Sequence, residues 1–248
     1  MIATAADLDD RPTDIFISQP SLNNVLVEWT GSIDQQTIME TATRMLMLKI
    51  DFSEFHQRCR HHKRLDHVAE KGLGSMLRSP SIWEDVVKVL CTTNVNWGGT
   101  QNMAERLTRF FGSRTPCGYR CFPSAARIFQ EDRRTLTYKS KLGYRAELLA
   151  KISRDVVKGN LDLSEWEQLD ASTKEIRSKI LELKGFGPYA AASVLALVNR
   201  YDFLPVDSIF MTHVSHLYFN GERPTHTQAE NIYDQWDRWK YLAYWFER

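Results

Sequence analysis

The sequence predicts a mainly α-helical protein with a short strand-containing region near its N-terminus. Through most of the 248 residues, apolar side chains recur three and four positions apart, which is the spacing of amphipathic helices. Strand character is concentrated in one early stretch, Val25 to Gly31, which is rich in β-branched and aromatic residues and ends at a glycine. Late in the chain, two helical segments are separated only by Lys184 to Gly187, which predicts a tight helical hairpin.

Length and composition indicate a globular protein that works inside the cell. A chain of 248 residues can form one large domain or two small ones, and 43% hydrophobic with 25% charged residues is ordinary for a soluble protein. No apolar run is long enough to span a bilayer, and the acidic stretch from Met1 to Pro12 does not resemble a signal peptide. The four cysteines indicate a reduced, intracellular protein without a zinc site; they are Cys59, Cys91, Cys117 and Cys121.

Positive charge is concentrated locally although the net charge is only +1. Residues 101 to 145 contain ten Lys/Arg and three Asp/Glu, a local charge of +7. A second basic cluster extends from Arg58 to Arg64. Localised positive charge is typical of a face that meets phosphate groups. A solvated helix face with incidental charge explains the same pattern equally well.

The predicted helices follow the early strand in order. Their apolar spacing, serine N-caps and the proline at residue 123 mark where each begins. The predicted helical segments are residues 34–48, 81–94, 99–112, 122–128, 164–170, 172–183 and 188–200. Loops are predicted at residues 113–124 and 220–227, which are rich in Gly, Pro, Ser and Thr.

The predicted hairpin has the features of a phosphate-binding turn. Gly185 and Gly187 permit positive φ and a close approach of the backbone, and Pro188 suits the first turn of the second helix. Successive backbone N–H groups and an open helix N-terminus can receive a phosphate. Phe186 is expected to pack between the two helices. From these residues alone, a plain helical hairpin is the commoner explanation.

A single carboxylate follows the hairpin. Pro205 prevents helix until Asp207, so Asp207 is predicted to be the N-cap of the helix that starts at Ser208. Its carboxylate is then expected near the mouth between helices. An isolated aspartate at such a position is most often only a structural cap.

These motifs together resemble the helix-hairpin-helix Gly/Pro-Asp (HhH-GPD) superfamily of DNA glycosylases, closest to the alkyladenine and 8-oxoguanine branch. The matching motifs occur in family order: "LKGFGPY", "AAASVLAL" and "LPVDS". Residues 81–112 and the closing stretch 233–246 are also similar to family segments. The resemblance covers roughly residues 45 to 248, and residues 1–45 resemble a shortened remnant of the antiparallel sheet domain. It implies a core over residues 46–248, with the hairpin at 173–200, two helical subdomains, and an active-site cleft between them.

The resemblance also implies roles for individual residues. Asp207 corresponds to the catalytic carboxylate. Residues implied to line the base pocket are Tyr189, Ser193, Trp239, Tyr241 and Trp245, although core packing is a common role for such aromatics. Residues implied to contact DNA are Asn94, Lys184, Gly185, Phe186 and Gly187, and Asn94 equally suits a helix C-cap. Backbone carbonyls implied to hold a monovalent cation are those of Leu181, Leu183 and Phe186.

Three departures from the family pattern are informative. Family members that also cut the DNA backbone have a lysine where this sequence has Tyr189, and a phenol cannot form a Schiff base. The usual proline is missing at Lys184, so a phosphate role for that lysine is only inferred. No cysteine follows Cys121, so no iron–sulfur cluster and no other required cofactor are expected.

The expected function is therefore that of a monofunctional DNA glycosylase in base excision repair. Such an enzyme flips a damaged base out of duplex DNA and hydrolyses its N-glycosidic bond. Alkylated purines are the expected substrates, because an aromatic pocket can bind a cationic base. Oxidised guanine, a deaminated purine or a mismatched thymine remain alternatives, as does a non-catalytic DNA-binding module. The expected partner is damaged double-stranded DNA, bound by a monomer without any membrane.

Overall fold

A computed structural model describes residues 1–168 and 170–248, which form two compact units. Unit 1 comprises Met1–Leu48 and Leu77–Ser164, and unit 2 comprises Lys49–Met76 and Glu165–Arg248. The chain first leaves unit 1 after Leu48, close to the predicted boundary at residue 45. It then returns at Leu77, so the N-terminal region shares a unit with the middle of the chain.

Helices dominate both units, which confirms the predicted fold class. The described part of the chain contains thirteen α-helices: α1 (Gln35–Leu46), α2 (Ser53–Arg60), α3 (Asp66–Glu70), α4 (Ile82–Thr92), α5 (Trp97–Phe111), α6 (Ala125–Phe129), α7 (Arg133–Ser140), α8 (Arg145–Val157), α9 (Thr173–Glu182), α10 (Pro188–Leu197), α11 (Ser208–Tyr218), α12 (His226–Asn231) and α13 (Lys240–Glu247). Two 3₁₀ segments, Ser164–Glu167 and Asp234–Trp239, complete the helical structure.

The strand region of unit 1 is larger than the sequence predicts. It is a three-stranded antiparallel sheet in the order β1 (Ile2–Leu8), β2 (Arg11–Ser21) and β3 (Asn24–Trp29). Only β3 corresponds to the predicted strand. Asp9 and Asp10 connect β1 to β2 with φ of 53° and 59°, as a tight two-residue hairpin turn requires.

One face of this sheet packs on helix α1. The buried cluster includes Ala6 from β1, Ile15 and Ile17 from β2, and Ile38 and Ala42 from α1. The strand residues alternate in sequence and the α1 residues lie four apart, so each element turns one apolar face inwards. This burial fixes the N-terminal region onto unit 1.

Side-chain caps place most of the predicted helices where the sequence indicates. Ser81 caps α4, Asn96 caps α5, and Ser172 with Glu175 forms a complete capping box at the start of α9. The predicted helix over residues 164–170 is wrong in type, because Ser164–Glu167 is a 3₁₀ turn. Leu169, within the same predicted segment, lies outside the described residues.

The closing stretch contains a break that the sequence does not reveal. Asp237 has φ 52° and ψ −124°, so the regular helix α13 begins only at Lys240. Downstream, Tyr241 and Tyr244 are buried, and the Tyr244 ring packs edge-on against Phe210 of α11 with centroids 5.1 Å apart. Helix α13 is therefore held against α11 within unit 2. No helix within residues 1–168 and 170–248 is long and apolar enough to cross a bilayer.

Candidate active site

The helical hairpin forms as predicted in unit 2. Helix α9 ends at Glu182, with Leu183 as its C-cap, and α10 begins at Pro188. The Phe186 N–H donates to the Leu183 carbonyl at 3.0 Å, which closes the turn. The Phe186 side chain is buried, whereas Lys184 is exposed. Phe186 therefore stabilises the turn by packing into the protein. Its neighbours Gly185 and Gly187 remain exposed, so their backbone is accessible.

The two glycines of the turn differ in their structural roles. Gly185 has φ +95°, a conformation that other residues rarely adopt, so glycine is needed there for the backbone itself. Gly187 has φ −88°, and a Cβ added to it would meet no atom within 4 Å. Glycine at residue 187 is thus not required by the local backbone, and the space above it is open.

Among the described residues, the first N–H groups of α10, beside this space, have no hydrogen-bond partner. The first intrahelical bond in this turn runs from the Ala191 N–H to the Gly187 carbonyl at 2.9 Å. Pro188 has no N–H, so the N–H groups of Tyr189 and Ala190 precede the helical ladder. They lie at the positive end of the helix dipole, where an anion is stabilised. The arrangement suits a phosphate group.

Asp207 is the N-cap of α11, as predicted. Its Oδ1 accepts a hydrogen bond from the Phe210 N–H at 2.8 Å, and its side chain is half-buried. The capping hydrogen bond uses only Oδ1, so the second carboxylate oxygen, Oδ2, takes no part in the cap. Asp207 also lines an open depression of 570 Å³ together with Val206, Ser208, Met211, Thr212, Ser215, His216, Arg223 and His226. The carboxylate can therefore serve as a cap and still reach a ligand.

Four of the five predicted pocket residues are brought together by α10 and α13. The Ser193 hydroxyl donates to the Tyr189 carbonyl at 2.9 Å, and the buried Tyr241 lies near both residues. Burial raises the pKa of Tyr241, so its phenol stays neutral at physiological pH. The Trp245 ring stacks on Tyr241 with centroids 6.3 Å apart and an angle of 16°, and Trp245 is 41% exposed. These side chains form an aromatic surface with hydroxyl groups at one side.

Two further residues join this group, Tyr244 on α13 and Arg248 at its end, and neither was predicted from the sequence. Burial raises the pKa of Tyr244, and the nearby Asp207 carboxylate acts in the same direction, while Arg248 opposes them. Tyr244 is therefore the residue of α13 that lies in the field of Asp207. The guanidinium of Arg248 lies 5.3 Å from the Trp245 ring centroid. Both could have been found from their spacing, because residues 241, 244, 245 and 248 share one helix face.

Trp239 is the predicted pocket residue that the structure places elsewhere. It is 3% exposed and stacks on Tyr201 with centroids 5.7 Å apart and an angle of 18°. Its ring also packs 5.6 Å from that of Phe55 on α2. Trp239 precedes the regular helix, so its side chain points into this aromatic core of unit 2. The proposed pocket therefore omits it.

Asn94 lies at an exposed loop tip in unit 1. It follows Thr93, the C-cap of α4, and its φ of +47° is the left-handed conformation that asparagine tolerates. Its side-chain amide donates to the Tyr144 hydroxyl at 3.4 Å. Tyr144 and Trp97 are 55% and 69% exposed. The predicted helix-to-loop position is thus correct, and the tip combines an amide with exposed aromatic rings.

Of the three carbonyls predicted to hold a monovalent cation, those of Leu181 and Leu183 lie at the end of α9 and that of Phe186 lies in the turn that follows. Leu181 is in the last turn and Leu183 is the C-cap, at the negative end of the helix dipole. Carbonyl oxygens at this end of a helix are the kind of ligand that a hard monovalent cation prefers. In the part of the chain that the structure describes, no group of three or more His, Cys, Asp or Glu side chains could hold a metal ion.

Solved DNA glycosylases share this fold. The 3-methyladenine DNA glycosylase of Archaeoglobus fulgidus superposes with a TM-score of 0.80 at 18% identity, covering 99% of this chain and 85% of that one. MBOgg1, solved with a low-affinity DNA ligand, gives a TM-score of 0.77 at 21% identity, covering 99% and 83%. The 8-oxoguanine glycosylase/lyase of Clostridium acetobutylicum, solved with DNA, gives 0.75 at 16% identity, covering 96% and 81%.

One relative is detected by sequence. The chain is 22% identical over 194 residues to the "Putative DNA-3-methyladenine glycosylase YfjP" of Bacillus subtilis (strain 168). The match covers 73% of this chain and 65% of that protein, so it spans less than two thirds of the relative's length. No family model matches the chain. The fold is that of the helix-hairpin-helix DNA glycosylases, which confirms the resemblance at the level of the fold.

Proposed function

We propose that this chain is a DNA N-glycosylase that extrudes a damaged base from duplex DNA and hydrolyses its N-glycosidic bond. Asp207 carries the proposal. It lies on the helix after the hairpin, half-buried, with one carboxylate oxygen outside the cap. A purely structural cap needs no contact with an open depression, which here is lined by residues of α11 and α12, and no position close enough to act on Tyr244 of α13.

The proposed mechanism uses the charge of this carboxylate. Breaking the bond between base and deoxyribose develops an oxocarbenium-like cation on the sugar. An aspartate held beside that carbon stabilises the cation and can orient or deprotonate the attacking water. The cap to Phe210 fixes the Asp207 side chain before the substrate arrives, so no reorganisation is needed in the transition state.

Alkylated purines are the proposed substrates. Such bases carry a positive charge, and the stacked rings of Tyr241 and Trp245 offer a surface for cation–π binding. The neutral hydroxyls of Tyr241 and Ser193 supply hydrogen-bonding groups at its side. The likeness to a 3-methyladenine glycosylase fold and to YfjP supports the same choice.

One observation favours a second substrate class. The Arg248 guanidinium already lies 5.3 Å from the Trp245 ring centroid and would repel a cationic base there. An arginine can instead donate to the carbonyl of a neutral base such as oxidised guanine or a deaminated purine. The 8-oxoguanine glycosylases among the structural relatives are consistent with this alternative. Comparing excision of alkylated and oxidised bases decides between the two.

The hairpin is proposed to hold a phosphate of the damaged strand. Gly187→Ala tests this role without straining the fold, because its φ is −88° and the added methyl meets no protein atom. The methyl would stand where the phosphate approaches the N–H groups of Tyr189 and Ala190. We expect about tenfold weaker binding to a duplex with an abasic site, about 1.4 kcal/mol, with an unchanged melting temperature. Fluorescence anisotropy measures the binding.

Gly185→Ala provides the contrast to this variant. Its φ of +95° makes any side chain strained, so melting temperature and binding should fall together. Parental affinity in a normally folded Gly187→Ala variant would show that the phosphate does not approach this turn.

The proposed enzyme leaves the abasic strand intact. Tyr189 cannot form the Schiff base that β-elimination requires, and its side chain lies in the pocket group. Strand breaks should therefore appear only after alkali treatment of the reaction, and borohydride should trap no protein–DNA adduct. Gel analysis with and without alkali measures both. Efficient trapping would refute this, and loss of the trapped adduct in Lys184→Ala would identify the lysine responsible.

No cofactor is proposed to be required. A monovalent cation on the carbonyls of Leu181, Leu183 and Phe186 would supply positive charge next to the phosphate when bound. The absence of an iron–sulfur cluster remains a prediction, which iron analysis of the purified protein tests. The proposed partner is damaged duplex DNA, bound by a monomer inside the cell.

A further inference from the structure

The structure separates the ten cations of residues 101–145 into two groups. Six have protein neighbours: Arg106 and Arg109 over Phe110, Arg120 on the Gly112 carbonyl, Arg127 in the field of Asp7, Arg133 paired with Glu147, and Arg145 buried against Thr93. Three of the other four, Arg134, Lys139 and Lys141, lie on α7 or at its end. Within the described residues, these three form no ion pair, although Arg134 lies in the field of the Asp132 carboxylate. Of the ten cations in residues 101–145, those most available to a ligand are thus concentrated on one helix.

Two of these cations and a tyrosine share one face of α7. Arg134, Tyr138 and Lys141 are spaced i, i+4 and i+7, whereas the buried Leu136 and Ser140 lie on the opposite side. Tyr138 is 84% exposed. We call Arg134, Tyr138 and Lys141 the α7 stripe. An exposed aromatic ring between two cations that form no ion pair among the described residues is a combination typical of nucleic-acid surfaces.

Arg134 lies in the first turn of α7, beside the Asp132 carboxylate that caps the helix. The two residues interact electrostatically, but within the described residues Arg134 forms no ion pair, and its side chain is exposed. The guanidinium is therefore held at the start of the helix and remains accessible to a phosphate.

The stripe is continuous with the exposed loop tip of unit 1. Lys141 is the C-cap of α7, and three residues later Tyr144 accepts the hydrogen bond from Asn94. Both features belong to the same compact unit. A duplex that met Asn94 and Tyr144 would extend alongside α7.

We propose that the α7 stripe binds the sugar–phosphate backbone of duplex DNA beside the loop tip, with Arg134 and Lys141 on separate phosphates and Tyr138 against a sugar. This rests on the proposed function in so far as DNA is the ligand. Seven residues of helix place the two cations about 10 Å apart, so they reach different phosphates. The contacts carry no sequence information and should act equally on damaged and undamaged DNA.

The test is the salt dependence of binding to an undamaged, fluorescein-labelled duplex, measured by anisotropy. Each phosphate contact contributes about 0.9 to the slope of log affinity against log salt. The double variant Arg134→Gln with Lys141→Gln should lower the slope by about 2. Tyr138→Ala should weaken binding about fivefold without changing the slope, because it removes no charge.

Arg133→Gln is the matched control. It removes one positive charge from the same helix, but that arginine is paired with Glu147 at 2.8 Å, so the slope should not change. A parental slope in the double variant, with an unchanged melting temperature, would overturn the proposal. The reduced slope, found in a protein that releases no base from any lesion, would support the stripe and refute only the glycosylase function.

Discussion

Asp207→Asn should lower the rate of base excision by about 100-fold or more while the protein stays folded. Asparagine has the same shape and is a competent N-cap, so the hydrogen bond from the Phe210 N–H can persist. What is lost is the negative charge beside the developing sugar cation, a preorganised interaction of the kind that contributes most to catalysis. Binding to DNA should be retained or improved, since a charge that repels phosphate is removed.

Single-turnover excision, with melting temperature measured alongside, tests this expectation. Asp34→Asn is the matched control, because Asp34 is the N-cap of α1 and accepts from the Thr37 N–H at 2.9 Å. The same substitution there should leave excision unchanged. A folded Asp207→Asn variant that excises at nearly the parental rate would reduce Asp207 to a structural cap.

Glu247→Ala should lower the free energy of unfolding by about 2–4 kcal/mol, because two tyrosine hydroxyls lose their acceptor. The Glu247 side chain is 1% exposed and accepts hydrogen bonds from the hydroxyls of Tyr218 and Tyr233. Arg64 lies 3.4 Å from one carboxylate oxygen and His213 lies 3.5 Å from the other. Removing the carboxylate leaves the hydroxyls of the buried Tyr233 and the partly buried Tyr218 without their acceptor, which costs far more than the loss of a surface contact, whereas Arg64 is 42% exposed and can turn to water.

Glu165→Ala is the control for this variant in chemical denaturation. Glu165 pairs with Lys179 at 2.6 Å, but both side chains are about half exposed, so its loss should cost less than about 1 kcal/mol. Because Glu247 ends the helix that carries Tyr241 and Trp245, excision should also weaken in Glu247→Ala. Equal stability of the two variants would show that the Glu247 cluster contributes nothing beyond a surface pair.

The hairpin and its cap were predictable because each depends on local chemistry. Glycine at residue 185, Pro188 at a helix start and Asp207 as an N-cap follow from backbone preferences of single residues. The strands β1 and β2 were not predictable in the same way. Their inward residues include small alanines such as Ala6, whose burial depends on contact with α1 rather than on a strong alternating pattern.

The pocket was predictable only in part, because aromatic residues serve the core and the site equally well. Trp239 and Tyr241 are only two positions apart. The positive φ of Asp237 interrupts the preceding 3₁₀ segment, so Trp239 stays in the core and Tyr241 lies on the regular helix α13. The place of Tyr244 in this group becomes evident only from the packing of α13 against α11. The basic cluster at residues 58–64 was equally ambiguous in the sequence, because its Arg64 pairs with the buried Glu247 of the same protein.

The most direct test of the account is base release by the parent protein from a panel of duplexes, each with one lesion. Excision followed by alkali converts every abasic site into a strand break that a gel resolves. We expect release of an alkylated purine, with strand breaks that require alkali and with loss of release in Asp207→Asn. Binding to these duplexes without release of an alkylated, oxidised, deaminated or mismatched base would contradict it and leave a DNA-binding module.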